Sequence, residues 1–303
     1  MGKWLDLHMH SVYSSDGEFL PETLMQMCSS AGLKAVALAD HNSTKGICEA
    51  QKAAMKLGLL YFPAIEIDCT HEKHDFHLLG YGICYGEKIF KEIEQNVYKQ
   101  ELERSGKMLN IISELGFHFD KKLVAKSPNG IITAETIAEE VLKDSRNKDN
   151  ELLLPFRQGG ARSDNPLVNF YWDFCAQGKP AYVPMHYISL GAAVNEIQKN
   201  GGAAVLAHPG ANMGKNYEIT KSIIKTNIDG IEVYNNYHDA ETTEFYEKIC
   251  HEYKLIATAG SDFHGKTKPS VKLGGVEHPA AYAAYEQLMG KIRKRGGETV
   301  GCL

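Results

Sequence analysis

His8 and His10 stand two residues apart at the end of the apolar run WLDLH. In an extended chain that spacing puts both imidazoles on one face, where they can grip a single metal ion. Further imidazoles and carboxylates recur along the chain. Asp16 lies in SVYSSDG, His41 in ALADHNS, Glu66 in FPAIEID, His77 in DFHLLGY, His208 in AVLAHPG, and Asp262 with His264 in ATAGSDFHG. Imidazole and carboxylate without thiolate suit catalytic Mn, Fe or Zn, whereas structural zinc usually recruits Cys. Nine such side chains exceed what one ion can take, which predicts two or three divalent ions sharing a bridging carboxylate.

The elements that must hold these residues are short β-rich runs alternating with helical patterns. Strands are predicted near 4–8, 34–39, 59–65, 76–81, 203–207, 229–233 and 255–259, and helices near 21–31, 44–57, 190–200, 217–226 and 240–253. Strands interleaved with helices point to βα units and a parallel sheet, either barrel-like or doubly wound. Nearly every strand then delivers a His or a carboxylate at its C-terminal end, the rim on which such folds build active sites. Polar groups there are costly to desolvate unless something uses them. His77 is the exception, placed near its strand's start, so it must point into the barrel or the boundary shifts.

Between 87 and 188 the rhythm breaks into helical patterns over 88–115, 133–143 and 164–177, which reads as an all-helical insertion between the fourth and fifth strands. The predicted division is 1–86 and 189–303 for the α/β body and 87–188 for a helical cap.

The chain has 303 residues, 43% hydrophobic and 23% charged, with a formal charge of −5. That mix suits a globular chain large enough to bury a core, and it offers no global basic field for extended nucleic acid or anionic lipid. No window approaches 18 consecutive apolar residues, which argues against a membrane span. The start MGKWLDLHMHS lacks a signal-peptide pattern, and the seven Cys include no CxxC pair, so reduced thiols and a cytoplasmic location are expected. The basic KIRKRGG near the C-terminus reads as a solvated helix face.

In order and strand context, HMHSVYSSDG, ALADHN, AIEID, HLLGYG, AVLAHPG and GSDFHG resemble the motif set of the PHP (polymerase and histidinol phosphatase) family of metal-dependent phosphoesterases. The resemblance covers roughly 4–82 and 180–265. It implies a distorted (β/α)7 barrel carrying a trinuclear centre. His8, His10, Glu66 and Asp262 would surround one metal. Glu66 would bridge to a second, held by His77 and His208, and Asp16, His41 and His264 would hold the third. The segment GKPAYVPMHYISLGAAVNEIQKNGGAAVLAHPG resembles a bacterial branch of small phosphatases with a helical insertion, including enzymes of 5′-nucleotides and nucleoside 3′,5′-bisphosphates.

The expected reaction is therefore attack of a metal-activated hydroxide on a small phosphomonoester. No GxSxG, P-loop or Cys motif suggests a protein nucleophile. Arg157 and Arg162 in LLPFRQGGARSD are the candidate phosphate contacts, with Gly159-Gly160 letting the backbone approach a ligand. Histidinol-phosphate phosphatase is the competing activity, and a non-catalytic metal-binding protein the competing class. Of the remaining histidines, His71 and His74 fall in the charged stretch HEKHD, where solvent exposure is expected, and His118, His186, His238, His251 and His278 have no partner at ligand spacing.

Overall fold

The computed structural model describes residues 4–120, 122–123 and 130–299. Contacts divide the chain into an α/β unit (Met1–Glu94, Tyr187–His264 and Val271–Leu303) and a helical unit (Gln95–His186 with Gly265–Ser270).

The α/β unit is built on one mixed sheet. Its strands are β1 (Leu5–Asp6), β2 (Ala35–Leu38), β3 (Leu60–His71), β4 (His74–Tyr81), β5 (Ile188–Ser189), β6 (Ala203–Leu206), β7 (Gly230–Tyr234) and β8 (Ile256–Ala259). Their order is β1-β2-β3-β4-β6-β7-β8, with β5 attached to β3. The Leu7 amide donates to Ala259 O at 3.1 Å and the His10 amide to Phe263 O at 2.9 Å. These bonds bring the first strand against the last, so the sheet is a nearly closed barrel, as the family resemblance implied.

Three details depart from the sequence reading. The short β5 adds an eighth strand. β3 does not stop at Glu66 but runs on to His71, because Ile65, Ile67 and Cys69 keep feeding the core on alternate positions. β4 runs antiparallel to both β3 and β6. That reversal resolves the His77 exception: the beginning of β4 lies beside the end of β3, with His77 paired to Asp68.

The alternation of strand side chains decides what the barrel encloses. On β3, Leu60, Phe62 and Ala64 belong to an apolar cluster with Leu79 and Tyr81 of β4 and Val205 of β6. Tyr285, Leu288, Met289 and Ile292 of the C-terminal helix Ala281–Arg295 complete that cluster. The same-face positions further along are Glu66 and Asp68 on β3 and His77 on β4. One end of each row is therefore apolar and the other titratable. The outer helices Pro21–Ser30 and Ile47–Leu57 pack on the opposite face through Leu24, Met25, Ile47 and Ala54. No helix among the described residues is long and apolar enough to cross a membrane.

The helical unit has its own core, in which Phe117, Phe156, Phe170 and Phe174 form a contiguous aromatic group with Met108, Ile112 and Ile137. The predicted helix over 164–177 is a shorter α-helix, Pro166–Phe170, followed by a π-helical turn at Tyr171–Cys175.

Arg295 anchors the C-terminal helix. Its guanidinium donates to both oxygens of the buried Asp229 at 2.6 and 3.0 Å and to Gly202 O at 3.0 Å. Burial raises the Asp229 carboxyl, but Arg295, the Ala204 amide and Lys291 together hold it below its ordinary range. Arg295→Ala should destabilise the protein by about 3 kcal/mol in urea unfolding. A depressed carboxyl stabilises above its unfolded pKa, so the difference from wild type should shrink as pH falls through the folded-state value of Asp229.

Candidate metal centre

Every one of the nine side chains singled out in the sequence belongs to the α/β unit, and the fold brings them together around Glu66. This carboxylate is fully buried. Its Oε2 lies 3.0 Å from His8 Nε2, 3.1 Å from His10 Nε2 and 3.4 Å from His41 Nδ1. Its Oε1 lies 3.0 Å from His77 Nδ1 and 3.2 Å from His208 Nε2. Asp262 Oδ1 closes the first group, 3.1 Å from His10 Nε2 and 3.5 Å from His8 Nε2. His264 Nε2 meets Asp16 Oδ2 at 3.1 Å, and its ring stacks on His10 at 3.9 Å between centroids.

Three ligand groups result: His8, His10, Glu66 and Asp262; His10, Asp16, His41 and His264; and His41, Glu66 and His77. The separations suit shared ions. Two donors each about 2.1 Å from one ion lie roughly 3.0–3.5 Å apart across octahedral or tetrahedral angles. Orphaned atoms point the same way. Nε2 of His10 and His264 and Nδ1 of His41 and His77 are buried without a hydrogen-bond partner, which is costly unless a cation completes them.

Charge is balanced by the imidazoles in this arrangement. Burial alone would raise the Glu66 carboxyl, yet His8, His41 and His77 hold it well below the usual range. Burial would strip protons from His8 and His41, but the surrounding carboxylates outweigh it. His8 is held well above the ordinary imidazole value by Glu66, Glu232 and Asp262, and His41 at about 10 by Glu66, Asp68 and Asp16. His10 falls to about 4 through burial and its neighbours His264 and His41.

A supporting layer fixes which nitrogen of each ring faces the centre. Glu232 accepts from His8 Nδ1 at 3.0 Å, so His8 Nε2 faces Glu66. His264 Nδ1 donates to Asp262 O at 2.9 Å, and His208 Nδ1 to Asn212 Oδ1 at 3.2 Å. Ser14 Oγ spends its single hydrogen on Asp40 Oδ1 and accepts the His41 amide, so His10 Nδ1 must donate to it at 3.0 Å. Each ring thereby presents its other nitrogen inward. Tyr237 Oη donates to Asp262 Oδ2 at 2.7 Å.

Sequence reasoning missed Asp68, Glu232, Ser14 and Tyr237. Asp68 was legible only if β3 continued past Glu66, since two more residues return the chain to the same face. Glu232 is likewise an inward position of β7, between the outward Ile231 and Val233. Backbone strain was invisible in the sequence: His208 and Asp262 adopt left-handed φ values of 23° and 57°.

The predicted phosphate contacts lie in the helical unit, and both are engaged there. Arg157 donates to Leu142 O at 3.0 Å and Asn147 O at 3.1 Å. Arg162 forks onto Asp173 at 2.8 and 2.9 Å. A Cβ at Gly160 would strike the carbonyls of Leu154 and Pro155, so the local turn itself needs glycine there. Among the histidines set aside, His238 donates to Val233 O and accepts the Gly210 amide, which makes it a loop clasp.

Glu232→Gln should keep the fold, yet it turns one of the two oxygens that accept from His8 Nδ1 and from the His208 amide into an NH2 donor, so one of those bonds is lost. Metal affinity should fall roughly 10–100-fold in a titration of the stripped protein. Unchanged affinity would show that Glu232 does not position the ligands.

Comparison with known proteins agrees with the geometry. A family model described as PHP domain matches residues 6–158. The chain is 26% identical over 283 residues to the 3′,5′-nucleoside bisphosphate phosphatase of Chromobacterium violaceum, covering 90% of this chain and 91% of that one. It is also 26% identical over 274 residues to the 5′-3′ exoribonuclease Rnm of Escherichia coli, covering 89% and 87%. A solved Chromobacterium violaceum structure, described as an amidohydrolase with bound sulfate and no metal, superposes with a TM-score of 0.78 at 25% identity over 95% of this chain and 96% of that one. With half of its length matched by the family model and His/Glu/Asp clusters able to hold metal at the motif positions, the chain belongs to the PHP domain family of metal-dependent phosphoesterases.

Proposed function

We propose that this protein is a phosphatase of small phosphomonoesters, with nucleoside 5′-monophosphates and nucleoside 3′,5′-bisphosphates favoured. The observation that carries the reading is the shared Glu66 carboxylate, each of whose oxygens faces a different set of imidazoles. His8, His10, Glu66 and Asp262 would hold one ion, Glu66, His77 and His208 a second, and Asp16, His41 and His264 a third, with Mn, Fe or Zn suited to these donors. When bound, such ions supply an activated water and positive charge against the phosphoryl oxygens.

The chain's own groups do the rest. Tyr237 holds Asp262 from behind, and Glu232 holds His8. Of the two arginines, Arg162 is our choice for phosphate, because its bond to Asp173 is a half-exposed pair worth at most about 1 kcal/mol. Arg157 is committed to two backbone carbonyls. Nucleotide preference is supported by the name of the Chromobacterium relative. A second reading, removal of nucleotides from the 5′ end of short RNA, is supported by the equally similar Escherichia coli relative.

A panel of 5′-AMP, 3′,5′-bisphosphoadenosine, histidinol phosphate and a 5′-phosphorylated RNA oligomer, assayed with Mn²⁺, separates these. The expected outcome is the highest kcat/KM on a nucleotide monoester, at least tenfold lower in Arg162→Ala with metal content unchanged. Faster turnover of the oligomer would support the exoribonuclease, of histidinol phosphate the competing phosphatase, and of nothing a metal-binding protein.

Metal uptake should also release protons, because His8 and His41 are held protonated by their carboxylate neighbours. Affinity should therefore weaken as pH falls, and calorimetry in buffers of differing ionisation enthalpy should report net proton release. Proton-neutral binding would contradict the assigned ligands.

A further inference from the structure

Asp68 lies outside the nine side chains read from the sequence motifs, yet it faces the same centre. It is the cross-strand partner of His77, and β3 places it on the same face as Glu66. Its Oδ1 is buried and makes no well-aligned hydrogen bond; it is ion-paired, 3.2 Å from His41 Nδ1 and 3.4 Å from His77 Nε2. These separations match those among the other ligand atoms.

The other half of the side chain is tied back. Asn42 Nδ2 donates to Asp68 Oδ2 at 2.8 Å, and the Asp68 amide returns a bond to Asn42 Oδ1 at 3.0 Å. Asn42 is itself fixed to the strand by its amide, which donates to Glu66 O at 2.7 Å, and it sits in the left-handed region at φ 53°. A reciprocal side-chain clamp therefore spends one carboxylate oxygen and leaves the other aimed at two imidazoles. A carboxylate used only for packing or solvation has no need of that arrangement.

We propose that Asp68 is a tenth ligand of the metal centre, donating Oδ1 to an ion that it shares with His41, and that Asn42 orients it. The proposal rests on the metal-dependent reading of the site. Its chemical consequence is one more negative charge on the inner rim, which favours a hard, oxygen-seeking ion such as Mn²⁺ or Fe²⁺ at that position.

The test loads stripped wild type, Asp68→Asn and Asn42→Gly with Co²⁺ and reads metal per chain, affinity and the visible absorption of the cobalt. Glycine keeps the left-handed backbone at 42 while removing the amide clamp. Asp68→Asn should lose one ion per chain or hold it at least tenfold more weakly. Loss of an oxygen ligand should also intensify the cobalt bands, and Asn42→Gly should fall between Asp68→Asn and wild type. Wild-type stoichiometry, affinity and spectrum in Asp68→Asn would overturn the assignment and leave Asp68 as an acceptor that merely orients His77. If Asp68→Asn fails to fold by thermal melting, Asn42→Gly decides, and an unchanged cobalt spectrum there would overturn the role of the clamp and with it the proposal. Because these readouts need no substrate, a wild type that binds cobalt and hydrolyses no phosphoester would defeat the proposed activity while leaving this ligand in place.

Discussion

A carboxylate with no exposed surface is the constraint on which the α/β unit depends. Burying Glu66 as a lone anion would cost several kcal/mol. Five imidazole nitrogens within 3.4 Å of its two oxygens are what make the position tenable. His8, His41 and His77, whose proton affinity their carboxylate neighbours raise, can balance it as cations in their own right, or yield that role to bound ions. The barrel supplies the geometry by switching character along each inward row, from Phe62 and Ala64 to Glu66 and Asp68 on β3, and from Tyr81 and Leu79 to His77 on β4. The apolar ends are sealed by the C-terminal helix, so the titratable ends share one rim.

Around this core a second set of groups removes freedom from the ligands. Glu232 illustrates it: one carboxylate takes the His8 ring nitrogen, the His208 amide and the Asn235 side-chain amide. Space for it exists only because residue 260 is glycine, since a Cβ there would collide with His8 and Glu232. The left-handed backbone at His208 and Asp262 is held by the same network, through the bond from the His208 amide to Glu232 and that from the Asp262 amide to His8 O at 2.8 Å. The candidate ligands are thus held in place by the protein's own bonds, the condition under which a metal ion would bind without reorganisation.

Much of this was legible from residue types and periods. The seven principal strands show as short apolar runs and the insertion as helical periodicity; the nine motif residues stand out as His or carboxylates near strand ends, and their grouping follows from the family resemblance. What escaped did so for physical reasons. Strand direction is not encoded in a period of two, so the reversal of β4 that carries His77 to the rim had no sequence signature. The end of β3 was misplaced at Glu66 because a charged residue inside an apolar run reads as a boundary, and Asp68 was lost with it. Glu232, Ser14 and Tyr237 act through hydrogen bonds of 2.7 to 3.3 Å that depend on the folded geometry, most of them between residues far apart in the chain, which spacing does not report. Arg157 and Arg162 were read as candidate phosphate contacts, and in the structure each is bonded within the helical unit, Arg157 to backbone carbonyls and Arg162 to Asp173.

In the proposed centre, Glu66 would be shared by at least two ions. Anomalous diffraction at the metal edge, from crystals of the Mn²⁺-loaded protein, tests it most directly. The account predicts at least two peaks flanking Glu66, one ringed by His8, His10 and Asp262 and another beside His77 and His208. A single peak, or peaks that leave Glu66 without a metal neighbour, would contradict it.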